Sequence, residues 1–284
     1  MKENSEIRIS FQGIEGAYSH LSILNCYKNK KVVAIACRSF QEALDLVEEN
    51  KADIAFIPIE NSYAGRVAEM HNILPELNLT IVGEYFHKVE HQLLGVKGAK
   101  IDDVKEVYSH PQALMQCKNY LNNLGLHSNN FYDTAGAALE ISKLRDKTKA
   151  SISSSLCAKI YGLSILAENI QDDKNNTTLF IQLAKEPIEI SPSKDKTTLT
   201  SMIFTTRNIS GGLYKALGGF ATNNINIVKL ESYIPNYKDN EARFFITFEG
   251  NPEQKNVSDA LEEFGFFTKK IKILGVYYAD EKRY

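Results

Sequence analysis

Several short polar clusters in this chain sit where an apolar run ends, and their residue types suit the binding of a small anion. Glu60-Asn61-Ser62 closes the run Ile54 to Ile59, with Gly65-Arg66 just beyond. Ser109-His110 closes a second run and is followed by Pro111 and, two turns on, Gln116. Asn176-Thr177-Thr178 leads into Leu179 to Leu183. Amides and hydroxyls at such points donate hydrogen bonds, and a carboxylate such as Glu60 becomes a general acid where burial raises its pKa. Each cluster also has a plainer use. Asn61 or Ser62 would cap a helix starting near Ala64, and Ser109 would cap the helix that Pro111 opens.

Two other motifs are set aside. Gly13-Ile14-Glu15-Gly16-Ala17-Tyr18-Ser19 follows the first strand, yet it is not GxGxxG and has no Lys-Ser/Thr ending. A tight turn is expected there rather than a nucleotide loop. His87 and His91 have i, i+4 spacing, but no acidic or cysteine partner completes a metal motif, so neither metal nor cofactor is expected.

The elements that must position these clusters alternate along the first 183 residues. Strands are expected at Ile7 to Phe11, Val32 to Cys37, Ala52 to Ile59, Leu79 to Phe86, Glu106 to His110, Lys149 to Ser154 and Leu179 to Leu183. Amphipathic helices fill the gaps. One opens with a capping box at Ser39 and Glu42, and another ends at Gly125. Such alternation predicts a parallel α/β sheet, whose ligands bind at the carboxyl ends of strands. Residues 184–198 break the pattern with prolines, serines and charges, and read as a linker. Beyond it the order is strand (Leu199 to Thr206), helix (Gly211 to Thr222), strand (Asn226 to Pro235), strand (Ala242 to Glu249), helix (Glu253 to Phe267), strand (Lys270 to Tyr278). That βαββαβ order predicts a ferredoxin-like sandwich.

Composition agrees with two domains. The chain has 284 residues, 43% hydrophobic and 24% charged, enough apolar material for real cores. A net charge of -2 supplies no basic field for nucleic acid. No apolar run approaches the ~18 residues of a membrane span, and the N-terminus has no signal-peptide core. Cys26, Cys37, Cys117 and Cys157 are scattered without a CxxC pair, which predicts reduced thiols in a cytoplasmic protein.

Taken in order, these segments resemble bacterial prephenate dehydratase with a C-terminal ACT domain, over nearly the whole chain. The residues carrying the resemblance are Gly16-Ala17-Tyr18-Ser19, Pro58-Ile59-Glu60-Asn61-Ser62 with Gly65 and Val67, and Ser109-His110-Pro111-Gln112-Ala113-Leu114 with Gln116-Cys117. Tyr161-Gly162-Leu163, and Asn176 with Thr178 and Phe180, complete it; Gly211 to Leu217 and Lys229-Leu230-Glu231-Ser232 match the two ACT signatures.

The resemblance implies a two-lobed catalytic domain similar to type II periplasmic binding proteins over 1–184, with one lobe about 7–86 and 177–184 and the other about 87–176. It implies a linker over 185–198 and a regulatory ACT domain over 199–284. The implied reaction is decarboxylation and dehydration of prephenate to phenylpyruvate, with feedback inhibition by L-phenylalanine at paired ACT domains in a homodimer or homotetramer. Thr178 and Glu60 are the implied catalytic residues, and Asn61, Ser62, Ser109, Gln116 and Asn176 the implied substrate contacts. Gly211, Gly212, Leu213, Glu231 and Ser232 are the implied effector contacts. The family's Thr-Arg-Phe stands here as Thr178-Leu179-Phe180, so another cation is expected at the substrate, with Arg66 the first candidate. Glu231-Ser232 is followed by Tyr233-Ile234 in place of Arg-Pro. The alternatives are an arogenate dehydratase and a non-catalytic amino-acid sensor.

Overall fold

The computed structural model describes residues 6–191, 196–234 and 242–283. Part of the expected linker 185–198, and Pro235 at the expected end of a strand, lie outside the described residues.

The first elements are β1 (Ile7–Gln12), α1 (Tyr18–Cys26), β2 (Val32–Cys37), α2 (Phe40–Glu48), β3 (Ile54–Asn61), β4 (Gly65–Arg66), α3 (Ala68–Ile73) and β5 (Thr80–Lys88). There follow β6 (Gln92–Gly95), β7 (Glu106–Ser109), α4 (Pro111–Gln116), α5 (Lys118–Asn123), β8 (His127–Asn130), α6 (Thr134–Leu144), β9 (Lys149–Ser153), α7 (Ser155–Tyr161), β10 (Ser164–Ala167) and β11 (Thr177–Ala184). The C-terminal elements are β12 (Thr198–Thr206), α8 (Gly212–Thr222), β13 (Ile227–Tyr233), β14 (Arg243–Glu249), α9 (Lys255–Phe267) and β15 (Thr268–Tyr278).

Two sheets share the first part of the chain, one in the order β2-β1-β3-β11-β5 with β4 on β3, the other in the order β10-β6-β9-β7-β8. The expected strands are all present, but the sheets are mixed rather than parallel. β1 pairs β2 and β3 in parallel, and β7 pairs β8 and β9 in parallel. β6 runs antiparallel to both β9 and β10, and β4 antiparallel to β3. The strands the sequence reading missed are short. β6 has four residues, all buried, and β8 is the wholly polar edge strand His-Ser-Asn-Asn, so neither shows a period of two.

Helix ends follow local chemistry. Ser39 accepts the Glu42 amide at 3.1 Å, as its capping box predicts, while the Glu42 carboxylate takes the Arg38 amide at 2.6 Å. No helix starts at Ala64. The Asn61 side chain instead accepts the amides of Tyr63 and Ala64, closing a turn into β4, and α3 begins at Ala68.

The chain divides into two compact units. One comprises Met1–Val67 with Phe86–Phe180, the other Ala68–Tyr85 with Ile181–Tyr284. In the first, Leu93, Val107, Ala150 and Ile152 form a core with Leu114 and Leu121 of α4 and α5. Phe56 meets Phe180 at 4.9 Å between ring centres. In the second, the sheet order β13-β14-β12-β15 is that of the expected ferredoxin-like sandwich. Its helix-facing side buries Met202, Phe204, Phe244, Ile246 and Phe248 against Ala216 and Phe220 of α8 and Val257 and Phe264 of α9.

Candidate active site

Within the first unit a cavity of about 320 Å³ is walled by Pro58, Asn61, Arg66 and Thr178 from the first sheet and its turn, and by Tyr18, His91, His110, Gln116, Asp133 and Asn176 among others. The strand-end clusters therefore do meet. Their side chains, however, divide into those that face the cavity and those that build it.

Asn61 is a builder. Its amide nitrogen donates to Asn176 Oδ1 at 2.7 Å and to Thr178 Oγ1 at 3.0 Å, and its oxygen is taken by the turn amides. Asn61 thus lines the cavity with both sides of its amide already engaged within the protein. Ser62 accepts the Thr177 amide and donates to the Asn175 carbonyl, so it too clamps the turn onto β11. Ser109 is fully buried and donates to the Ile152 carbonyl at 2.6 Å, across to β9. Ser62, Ser109 and Glu60 do not line the cavity. Strand alternation explains Glu60, because its neighbour Asn61 takes the cavity side.

The groups that Asn61 bonds are engaged on one side only. Thr178 accepts from Asn61, and no acceptor for its own proton is bonded to it among the described residues. The Asn176 side chain is 2% exposed, and its amide nitrogen is buried with no partner. A buried donor without an acceptor costs roughly 1–3 kcal/mol, which a bound acceptor recovers. Asn176 and Thr178 therefore line the same cavity, held by one shared amide.

Tyr18 and His91 were not legible as site residues. The Tyr18 hydroxyl lies 2.6 Å from His91 Nδ1, and His91 Nε2 lies 2.7 Å from Gln116 Oε1. Gln116 accepts there, so Nε2 carries the hydrogen and Nδ1 accepts the Tyr18 proton. The amide nitrogen of Gln116, with no partner among the described residues, is left to donate to a ligand. Burial pushes the His91 pKa down and the Tyr18 pKa well up, so both stay neutral at pH 7. The signal was the Gly16-Ala17-Tyr18-Ser19 loop itself. Gly16 has φ +87°, and a Cβ there would sit 2.7 Å from Cys157 Sγ. Glycine therefore lets this loop close over α7, and the closure brings Tyr18 to His91.

Arg66 is the one Arg or Lys among the described residues lining the cavity, the position at which a replacement cation is expected. Leu179 does not line the cavity. It is 6% exposed and follows Thr178 on a strand, so it points away from the cavity. Leu179→Arg should therefore bring no gain in kcat/KM beyond about threefold. A gain of tenfold or more in steady-state assays would place position 179 at the substrate.

In the second unit, Gly211 takes φ +69° ahead of α8, and a Cβ on Gly212 would meet the Arg207 carbonyl at 2.7 Å. These glycines are required by their own turn. Leu213 packs on the helix-side core. Glu231 does not join them. It pairs in register with Phe245, on the face opposite to that of Phe244 and Ile246, and its carboxylate bonds His71 Nε2 at 2.6 Å and Lys229 Nζ at 3.0 Å. The bond to His71 holds the Glu231 pKa down to about 2. A depressed carboxylate stabilises the fold above its unfolded pKa, and that contribution is lost as pH falls from about 4.5 towards 2. Glu231→Gln should lower Tm at pH 7 and flatten its fall over that window in thermal melts. An unchanged pH–Tm curve would remove the pair from the stability argument.

Among the described residues no cluster of three or more His, Cys, Asp or Glu could hold a metal ion, and no helix is long and apolar enough to cross a membrane.

Residues 9–188 match the family model described as prephenate dehydratase. The chain is 38% identical over 280 residues to a bifunctional N-acyl-homoserine lactone acylase/prephenate dehydratase of Komagataeibacter europaeus, covering 99% of each. It is 41% identical over 292 residues to arogenate dehydratase/prephenate dehydratase 1 of Arabidopsis thaliana, covering 98% of this chain and 74% of that one. A solved structure described as a novel type of quorum-quenching acylase superposes with TM-score 0.89 at 37% identity, covering 98% of this chain and 100% of that one. The Arthrobacter aurescens prephenate dehydratase, solved in complex with L-Phe, shares the fold with TM-score 0.85 at 24% identity, covering 98% and 91%. The chain belongs to the prephenate dehydratase family, and is a carbon–oxygen lyase by that membership.

Proposed function

We propose that this chain converts prephenate to phenylpyruvate, releasing carbon dioxide and water, in L-phenylalanine biosynthesis. The observation that carries this reading is the pair of unsatisfied donors, Thr178 Oγ1 and Asn176 Nδ2, set side by side by Asn61. Prephenate carries two carboxylates and a ring hydroxyl, and loss of carbon dioxide and water makes the ring aromatic. Little covalent chemistry is needed. The site must hold two negative charges and stabilise the oxygen that departs.

In this reading Thr178 donates to the departing hydroxyl and stabilises the charge that develops on it. Its acceptance from Asn61 aligns the hydroxyl and strengthens it as a donor. Asn176, Gln116 and Arg66 receive the carboxylates. Asn61, Ser62 and Ser109 position these groups, and Glu60 lies outside the cavity's lining. Tyr18 and His91 fix the orientation of Gln116. No cofactor enters the scheme.

The same proposal assigns 1–184 to catalysis, 185–198 to a linker and 199–284 to an ACT regulatory domain. L-phenylalanine would bind near Gly211, Gly212, Leu213 and Ser232 at paired domains, in a homodimer or homotetramer. The complex of the Arthrobacter relative with L-Phe supports that choice of effector.

The test is an assay of purified protein with prephenate, with and without phenylalanine. Turnover that phenylalanine suppresses is expected. Phenylalanine binding without turnover of prephenate or arogenate would make the protein a sensor instead. Competition between the two substrates separates prephenate from arogenate dehydratase.

A further inference from the structure

A second cavity lies wholly in the C-terminal unit, on the sheet face turned away from α8 and α9. Register sets Arg243 of β14, Thr205 of β12 and Lys270 of β15 side by side across the sheet. Adjacent strands lie about 4.8 Å apart, so the two cations flank the threonine symmetrically. These three residues line a cavity of about 520 Å³ together with Lys269, Lys272 and Glu76, the single acid among the described lining residues. Lys272 is fixed in the wall, its ammonium donating to the carbonyls of Pro75 and Leu77. Thr205 is 5% exposed, and its hydroxyl has no hydrogen-bond partner among the described residues.

We propose that this cavity binds a small phosphate-bearing anion, held between Arg243 and Lys270 with the Thr205 hydroxyl as a third donor. Arg243 and Lys270 on either side of a buried, unpartnered hydroxyl call for an anion. A guanidinium fork beside a hydroxyl matches the oxygens of a phosphate. The concave wall formed with Pro75, Glu76 and Ile203 admits a small molecule rather than a polymer, and the chain's net charge of -2 offers no wider basic field. None of these residues belongs to the dianion cavity of the first unit or to the group at Gly211, Gly212, Leu213 and Ser232. The site is independent of the proposed reaction.

The test uses the full chain and measures binding rather than turnover. Inorganic phosphate and methyl phosphate are titrated by calorimetry and thermal melts, with malonate as the dicarboxylate arm. Saturable phosphate binding that raises Tm is expected. The double variant Arg243→Gln/Lys270→Gln should bind at least about tenfold more weakly. Thr205→Val, close to isosteric, should melt no lower than the parent without phosphate yet bind phosphate about fivefold more weakly. Equal phosphate binding by parent and double variant would overturn the proposal, since the anion would then sit elsewhere. So would malonate binding as tightly as phosphate with the same variant sensitivity, or a Thr205→Val that melts several degrees lower without phosphate.

Discussion

Thr178→Val should lower kcat by about 10²–10³-fold with little change in Tm, the cost of removing one donor aimed at a developing oxyanion. Valine keeps the β-branch that suits β11, so the strand survives the change. The hydroxyl it removes does two things. It accepts from Asn61 at 3.0 Å, and its own proton has no bonded acceptor among the described residues. Asn61 still bonds Asn176 Oδ1 at 2.7 Å and the Thr177 carbonyl at 3.3 Å, so the turn should hold in the variant. Thr178→Ser restores the hydroxyl and should recover most of the rate. A Thr178→Val enzyme within tenfold of the parent would remove the hydroxyl from the mechanism and leave the donors of Asn176 and Gln116 as binding groups only.

Asn176→Asp should lower kcat/KM at pH 7 by at least about 10³-fold, a larger effect from an isosteric change. Two losses add. The buried amide donor disappears, costing roughly 1.5–3 kcal/mol if its partner is a carboxylate. A carboxylate then faces a dianion, which at an effective dielectric near 20 and a separation of 4 Å costs about 4 kcal/mol per pair of charges. The sign of the pH response separates this from misfolding. Protonating the new Asp restores a donor and removes the repulsion, so kcat/KM of the variant should rise relative to the parent as pH falls towards 4. A relative activity flat in pH, or a loss under tenfold at pH 7, would show that Asn176 does not face the substrate.

The order of elements was legible in the sequence because it is written locally. Apolar runs of strand length, Ser39 with Glu42, Pro111 and Gly125 all act within a few residues of themselves, and the elements they announce are present, except that the one helix expected from Pro111 to Gly125 is divided into α4 and α5. The placing of polar clusters at strand ends was legible for the same reason, and so was the family resemblance. Which side chains face the cavity was not, because that depends on pairings far apart in the chain. Asn61 meets Asn176 across 115 residues, and Tyr18 meets His91 across 73. One step along a strand reverses a side chain, which turns Glu60 and Leu179 away while Asn61 and Thr178 face inward. The sequence by itself determined which residues gather at the strand ends. Tertiary pairing alone decided which of their hydrogen-bonding groups are spent on the protein and which, at Thr178, Asn176 and Gln116, have no partner among the described residues.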